Sequence, residues 1–352
     1  MKQPEMLLES ERWRACATPK IEFPRGWKCL IIRTVSVSQA INSMKTNLIP
    51  RLGRTSLVTT LLLAGLGLAS SGVSLAPAQT PKHVLVVTTT TGFRHSSIPT
   101  AEKVIGELAK RTGIFTVEYA RVENNDPQYR GADGKPDKAK FEAAIKAVLA
   151  EKMTAAALKK YDAVIFANTT GELPLPDKEA FMDWIKSGKG FVGMHSATDT
   201  FHNYPPFVEM IGGTFKSHGA QVEVEAINQD KSCAACRHLG DTWTVFDEIY
   251  LFKNFDRTKV HGLLTLDKEP NNKTPGDYPI AWIKEYGTGR VFYTSLGHRE
   301  DIWDAEWKDA RGGGRKNSPE ISRQYQEHIL GGIKWALGLE PGEVRLPGTT
   351  IP

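Results

Sequence analysis

Cysteine is scarce in this chain, with four among 352 residues, at positions 16, 29, 233 and 236. No thiol lies between Cys29 and Cys233, so thiolate catalysis is excluded from that whole stretch, and a four-thiolate zinc site cannot be assembled downstream of it. Charge of one sign is lacking too. The formal net charge is +5, but residues 1–78 hold ten Lys/Arg against four Glu, which leaves 35 basic and 36 acidic residues in the remainder. No electrostatic footprint for nucleic acid survives there, and the balance suits a small, weakly charged ligand. A single Gly92 follows the first apolar run where a dinucleotide site would need G-x-G-x-x-G, so nothing points to NAD. Internal repeats and low-complexity tracts are missing as well, and one large domain is the economical reading.

Long apolar runs are also few. The uncharged stretch 56–69, preceded by Lys45, Arg51 and Arg54 and followed by Ala76-Pro77-Ala78, has the layout of a signal peptide. It falls short of the about 20 residues that a membrane span requires. Residues 44–78 are therefore expected to be an export signal cleaved before Gln79, giving a periplasmic or secreted protein with no stable membrane span. Residues 1–43 have no place in that scheme and read as an upstream extension or tail.

What is present from residue 82 onward is an alternation of strands and amphipathic helices. Residues 83–88, 115–120, 161–167 and 190–195 read as strands, and 99–111, 138–160 and 176–187 as helices. Near-continuous apolar strands of this kind belong in a parallel sheet covered on both faces. The fold class expected is α/β, an open doubly wound, flavodoxin-like parallel sheet. In the second half, 221–226, 242–246, 262–266, 280–286 and 290–295 read as an antiparallel strand extension with a hairpin at Gly287-Thr288-Gly289. A last helix covers 318–338, and residues 339–352 form a C-terminal tail.

In doubly wound sheets ligands gather at the carboxyl ends of the strands, and those ends carry the polar residues here. Thr89 to Ser97 includes Gly92-Phe93-Arg94-His95; Asn168 to Glu172 follows the third strand; His195-Ser196-Ala197-Thr198-Asp199 follows the fourth. Gly193 and Ala197 stand two residues either side of His195, the small-residue frame of a nucleophile elbow. An imidazole there offers a general acid/base or a metal ligand. Ser196, one residue past the apex, reads better as a turn hydroxyl than as a nucleophile.

Taken with Gly212-Gly213, Phe215 and His218, Asp247-Glu248-Ile249-Tyr250, the stretch from Pro279 to Tyr293, and Leu296-Gly297-His298, these motifs resemble the ThuA-like, or trehalose-utilisation, family over residues 82–338. The resemblance implies a class I glutamine amidotransferase-like fold and a link to disaccharide or keto-sugar metabolism. Amidotransferase chemistry does not follow, because the elbow has no cysteine.

On that footing His195, His298, His95 and Glu172 are the candidate catalytic residues, with His195 as the central proton carrier. Arg94, Ser196, Asp199, His218 and Trp303 are candidates for binding a small saccharide, Trp303 with Trp307 as an aromatic wall. Asp199 reads alternatively as a helix cap. His95, His195 and His298 are also weak metal candidates, suited to zinc, although none lies at a local His-x-x-x-His spacing. Asp247 and Glu248 could touch ligand, but an edge-strand pair facing water is the commoner reading of such residues. Cys233 and Cys236 form either a local disulfide or two buried thiols. A noncatalytic glycan-binding module and a metal-dependent hydrolase are the rival readings.

Overall fold

The apolar run at 83–88 forms β1 (Lys82–Val87), the helical spacing after it forms α1 (Ile98–Thr112), and β2 (Phe115–Ala120) follows. Pro99 starts α1, and Gly113, in the left-handed region, ends it by donating its N–H to the Ala109 carbonyl. The structure is a computed structural model and describes residues 80–123, 126–310 and 312–347. Of the chain's two units, 1–72 and 73–352, the described residues lie in the second. The expected signal segment and the residues upstream of it lie outside the described residues. No helix among those described is long and apolar enough to cross a membrane.

The helix expected over 138–160 is broken in two, α2 (Lys138–Lys152) and α3 (Ala155–Leu158). Thr154 is the reason: its hydroxyl accepts the Ala157 N–H at 3.1 Å and begins a new helix rather than continuing the old one. Then come β3 (Ala163–Ala167), α4 (Lys178–Lys186) capped by Asp177, β4 (Gly190–Met194), and α5 (Pro205–Ile211), a short helix that the sequence reading missed. The remaining elements are β5 (Thr214–His218), β6 (Val222–Asn228), β7 (Thr242–Asp247), β8 (Tyr250–Lys253), β9 (His261–Lys268), β10 (Pro275–Tyr286), β11 (Gly289–Thr294), α6 (Glu300–Trp303) and α7 (Pro319–Ala336).

Nine strands form one sheet in the order β2-β1-β3-β4-β11-β10-β9-β6-β7, and β5 pairs with β8 separately. The first five of that order are parallel and the rest antiparallel. The α/β class with an antiparallel extension is thus as expected, with one correction. Residues 290–295 were assigned to the extension, but β11 runs parallel to β4, in the register Arg290↔Gly190 to Thr294↔Met194, while its other edge pairs antiparallel with β10. The segment after β11 consequently leaves the sheet at the same rim as those after β1, β3 and β4.

Strand alternation divides the core. Val84 and Val86 pack on one face with Val104, Leu108 and the buried side of α7; Leu85 and Val87 pack on the other with Leu149, Phe181 and Phe207. Burial on both faces at about 25 cal/mol per Å² of apolar surface anchors the strands, so the loops at the carboxyl rim hang from a rigid scaffold.

Candidate functional site

β4 runs into a tight 3-10 turn, His195–Asp199, and His195 takes φ +48°. A non-glycine residue held there costs on the order of 1–3 kcal/mol, and the surroundings enforce it. The Tyr293 hydroxyl donates to the His195 carbonyl at 2.6 Å and is itself 3.0 Å from Thr198 Oγ1. A Cβ at Gly193 would stand 3.0 Å from the Tyr293 ring and 3.3 Å from the Ala197 Cβ, which is why small residues flank the apex. His195 Nδ1–H donates to the Ser295 carbonyl at 2.8 Å. That bond fixes the tautomer and leaves the Nε2 lone pair facing the rim.

Three other side chains meet that lone pair. His95, after β1, brings its Nε2 to 3.2 Å from His195 Nε2, while its Nδ1 lies 3.3 Å from the Ser196 hydroxyl. His298, after β11, brings its Nδ1 to 3.3 Å. Glu248, on the link between β7 and β8, places Oε2 3.2 Å from His298 Nδ1 and 3.8 Å from His195 Nε2. One ligand atom from each of His95, His195, Glu248 and His298 lies within 4.8 Å of every other. His218 stands beside them: its Nδ1–H is shared between the Gly219 carbonyl at 2.9 Å and Glu248 Oε1 at 3.2 Å, leaving its Nε2 free on an exposed ring.

The loop carrying His298 is held from below by Asp247, which is fully buried. Its carboxylate accepts the backbone N–H of Gly297 at 2.7 Å, of Arg299 at 3.3 Å and of His298 at 3.4 Å. Burial raises its carboxyl to about 6 against the pull of those N–H groups and of His298.

Burial, reinforced by the neighbouring imidazoles, drives His195 well below its ordinary value and takes His95 down to about 4. His298 goes the other way: burial opposes its charge, but the hydrogen bond and charge of Glu248, with Asp247 and Glu300 behind, outweigh it and raise its value. The rim therefore presents two neutral imidazoles with converging lone pairs and a third whose proton lies against a carboxylate. Such a set of donors could hold a divalent cation.

A family model described as trehalose utilisation, ThuA, matches residues 83–336. The chain belongs to the ThuA family. Membership places it in a carbohydrate pathway. Among solved structures it is similar to a putative ThuA-like protein from Bacteroides uniformis, at 18% identity and TM-score 0.51, over 75% of this chain and 95% of that one. It is similar also to one from Parabacteroides merdae, at 17% identity and TM-score 0.51, over 77% and 93%. At these identities the likeness speaks for the fold. A search of the curated proteins finds no match.

Within this ThuA fold the residues singled out from sequence divide clearly. His95, His195 and His298 meet, Ser196 touches His95, and His218 borders the group through Glu248. Glu172 does not join them; it is exposed, pairs with Lys178 at 3.0 Å and accepts the Asn203 N–H. Asp199 neither orients His195 nor caps a helix, since its partner is His202 at 2.7 Å. Arg94 turns back beneath its loop, donating to the Thr88 carbonyl at 3.3 Å in the field of Glu102 and Glu123. Trp303 is fully buried with its Nε1–H on the Gly297 carbonyl at 2.8 Å, so it has no free face for a sugar and supports the His298 loop instead. Cys233 and Cys236 are free buried thiols, and burial raises the former to about 11. Sequence reasoning set Glu248 aside. The motif Asp247-Glu248-Ile249-Tyr250 was visible, but alternation along β7 suggested a water-facing pair, whereas Asp247 is fully buried and Glu248 nearly so.

Proposed function

We propose that this ThuA protein is an exported, metal-dependent enzyme in which His95, His195, His298 and Glu248 bind one divalent transition ion and act on a saccharide next to a carbonyl. The observation that carries the reading is the spacing of the four ligand atoms. Metal–nitrogen bonds of about 2.0–2.1 Å at tetrahedral angles separate ligand atoms by about 3.3 Å; four of the six separations here are 3.2, 3.3, 3.2 and 3.8 Å, and all six lie within 4.8 Å. The longer edge and the partly exposed His298 favour a site that admits a further oxygen ligand, as a working centre needs and a purely structural one does not. The ion would polarise a carbonyl or bound water. Exposed Nε2 of His218, held in its tautomer by Gly219 and Glu248, is the group placed to carry a proton. Carbohydrate as substrate rests on family membership, and a keto or otherwise oxidised sugar suits chemistry of this kind.

The test is to purify the protein, measure bound metal by mass spectrometry, and incubate it with trehalose and its 3-keto form before and after chelation, identifying products. One equivalent of metal and product formation that chelation abolishes is expected. Turnover that persists without metal would sink the metal centre and leave imidazole acid/base chemistry in its place. Saturable sugar binding with no product would make the chain a glycan-binding module.

A further inference from the structure

Phe93 is the exposed large hydrophobic residue among those described, with 68% of its surface in solvent. Leaving such a ring in water forgoes about 1.5–3 kcal/mol of burial, and here the ring is held out by a rigid loop. Thr170 Oγ1 donates to the Phe93 carbonyl at 2.8 Å, and Thr90 Oγ1 reaches it at 3.3 Å. The N–H groups of Thr91 and Gly92 both point to the Thr170 carbonyl, at 3.1 and 3.4 Å. The two loops approach so closely that a Cβ at Gly92 would fall 2.7 Å from Thr170 Oγ1, and one at Gly171, whose φ is +80°, would fall 2.8 Å from the Gly92 nitrogen.

The ring also borders the ligand cluster. Phe93 and His95 meet edge to face, centroids 4.9 Å apart at 82°, and His95 is one of the four converging side chains. An apolar face, fixed and solvent-facing, thus adjoins a polar centre. A pyranose ring needs that pairing: its C–H bonds, polarised by the neighbouring oxygens, fit the negative face of an aromatic ring, while its oxygens reach toward the centre. We infer that Phe93 is the platform on which the sugar ring lies, orienting its oxygens toward His95, His195, His298 and Glu248. This inference rests on the proposed function for the identity of its ligand and deepens it by naming the binding face.

Binding of trehalose and of 3-keto trehalose to wild type, Phe93→Ala and Phe93→Tyr, each with bound metal quantified, is the test. Because the ring is exposed, F93A is expected to keep the wild-type melting temperature and metal content while binding at least one of the two sugars five- to tenfold more weakly, with F93Y close to wild type. Equal affinity of F93A and wild type overturns the platform, as does a wild type that carries metal but binds neither sugar, or a change in F93A confined to oligomeric state. Weaker sugar binding by F93A in a protein that holds no metal upholds the platform and removes the metal centre, so the two readings fail separately.

Discussion

Asp247 touches none of the proposed ligand atoms, yet replacing it with asparagine is expected to weaken the site. The carboxylate takes three backbone N–H groups from residues 297–299, the shortest at 2.7 Å. Asparagine keeps one oxygen and turns an NH₂ group toward at least one of those donors. Losing a hydrogen bond to a charged acceptor and leaving a buried N–H unpaired cost about 2–4 kcal/mol, but asparagine also removes a buried charge whose value is raised to about 6, a relief of about 3 kcal/mol at pH 8, so global stability is expected to change by no more than about 1 kcal/mol while the loop itself loosens. For a domain of this size that is a Tm shift of at most about 4 °C, at about 2–4 °C per kcal/mol. The loosened segment carries His298, and removing such outer support typically lowers metal affinity about 10–100-fold. Differential scanning calorimetry and competition with a chromophoric chelator, both at pH 8 so that a carboxyl with a value of about 6 is ionised, give the two readouts. An affinity within about twofold of wild type would refute the reasoning. A lowered Tm with unchanged affinity would reduce Asp247 to a structural role.

Three further outcomes are expected. At His195, with φ +48°, both His195→Ala and His195→Gly should abolish metal binding and turnover, but the glycine variant should be the more stable by about 1 kcal/mol because it enters the left-handed region without strain; equal melting temperatures would contradict the strain. His328 is fully buried and its value is depressed to about 3, while the unfolded chain protonates near 6.5. Its contribution is therefore complete above pH 6.5 and lost as pH falls toward 3, about 2 kcal/mol of it between pH 7 and 5. Denaturant titrations of wild type and His328→Asn should converge by that amount over this interval, and parallel curves would exclude it. Mass spectrometry of protein recovered from the exporting host should find a chain beginning at Gln79; an intact residue 44 in the exported fraction would rule out cleavage there.

Much of the fold was readable because each strand of the parallel half carries its own evidence. A strand such as β1 or β3, covered on both faces, must be apolar throughout, and helices such as α1 and α7 mark their ends with proline, glycine and capping side chains. The elements that escaped were short ones. β8 has four residues and β5 has five; they pair only with each other, and neither shows a period long enough to read. The correction at β11 has a different cause, since an apolar strand looks the same from sequence whether its neighbour runs parallel or antiparallel.

The site divides along the same line. His95, His195 and His298 could be named because each follows an apolar strand, and parallel topology brings the carboxyl ends of such strands to one rim. Composition alone also removed thiolate chemistry from the elbow. Glu248 could not be found that way: it lies on the link that follows an antiparallel strand, and its burial depends on how that β7–β8 link folds back over the rim toward His195 and His298. Trp303, a candidate sugar contact, is buried, and Phe93, to which the sequence assigned no role, is exposed, for the same physical reason. Whether an aromatic ring faces core or water is decided by what packs against it, and here Gly297 and Tyr325 enclose the first while two clamped loops hold the second in solvent. Residue chemistry determined which groups were available, and long-range packing decided which of them meet.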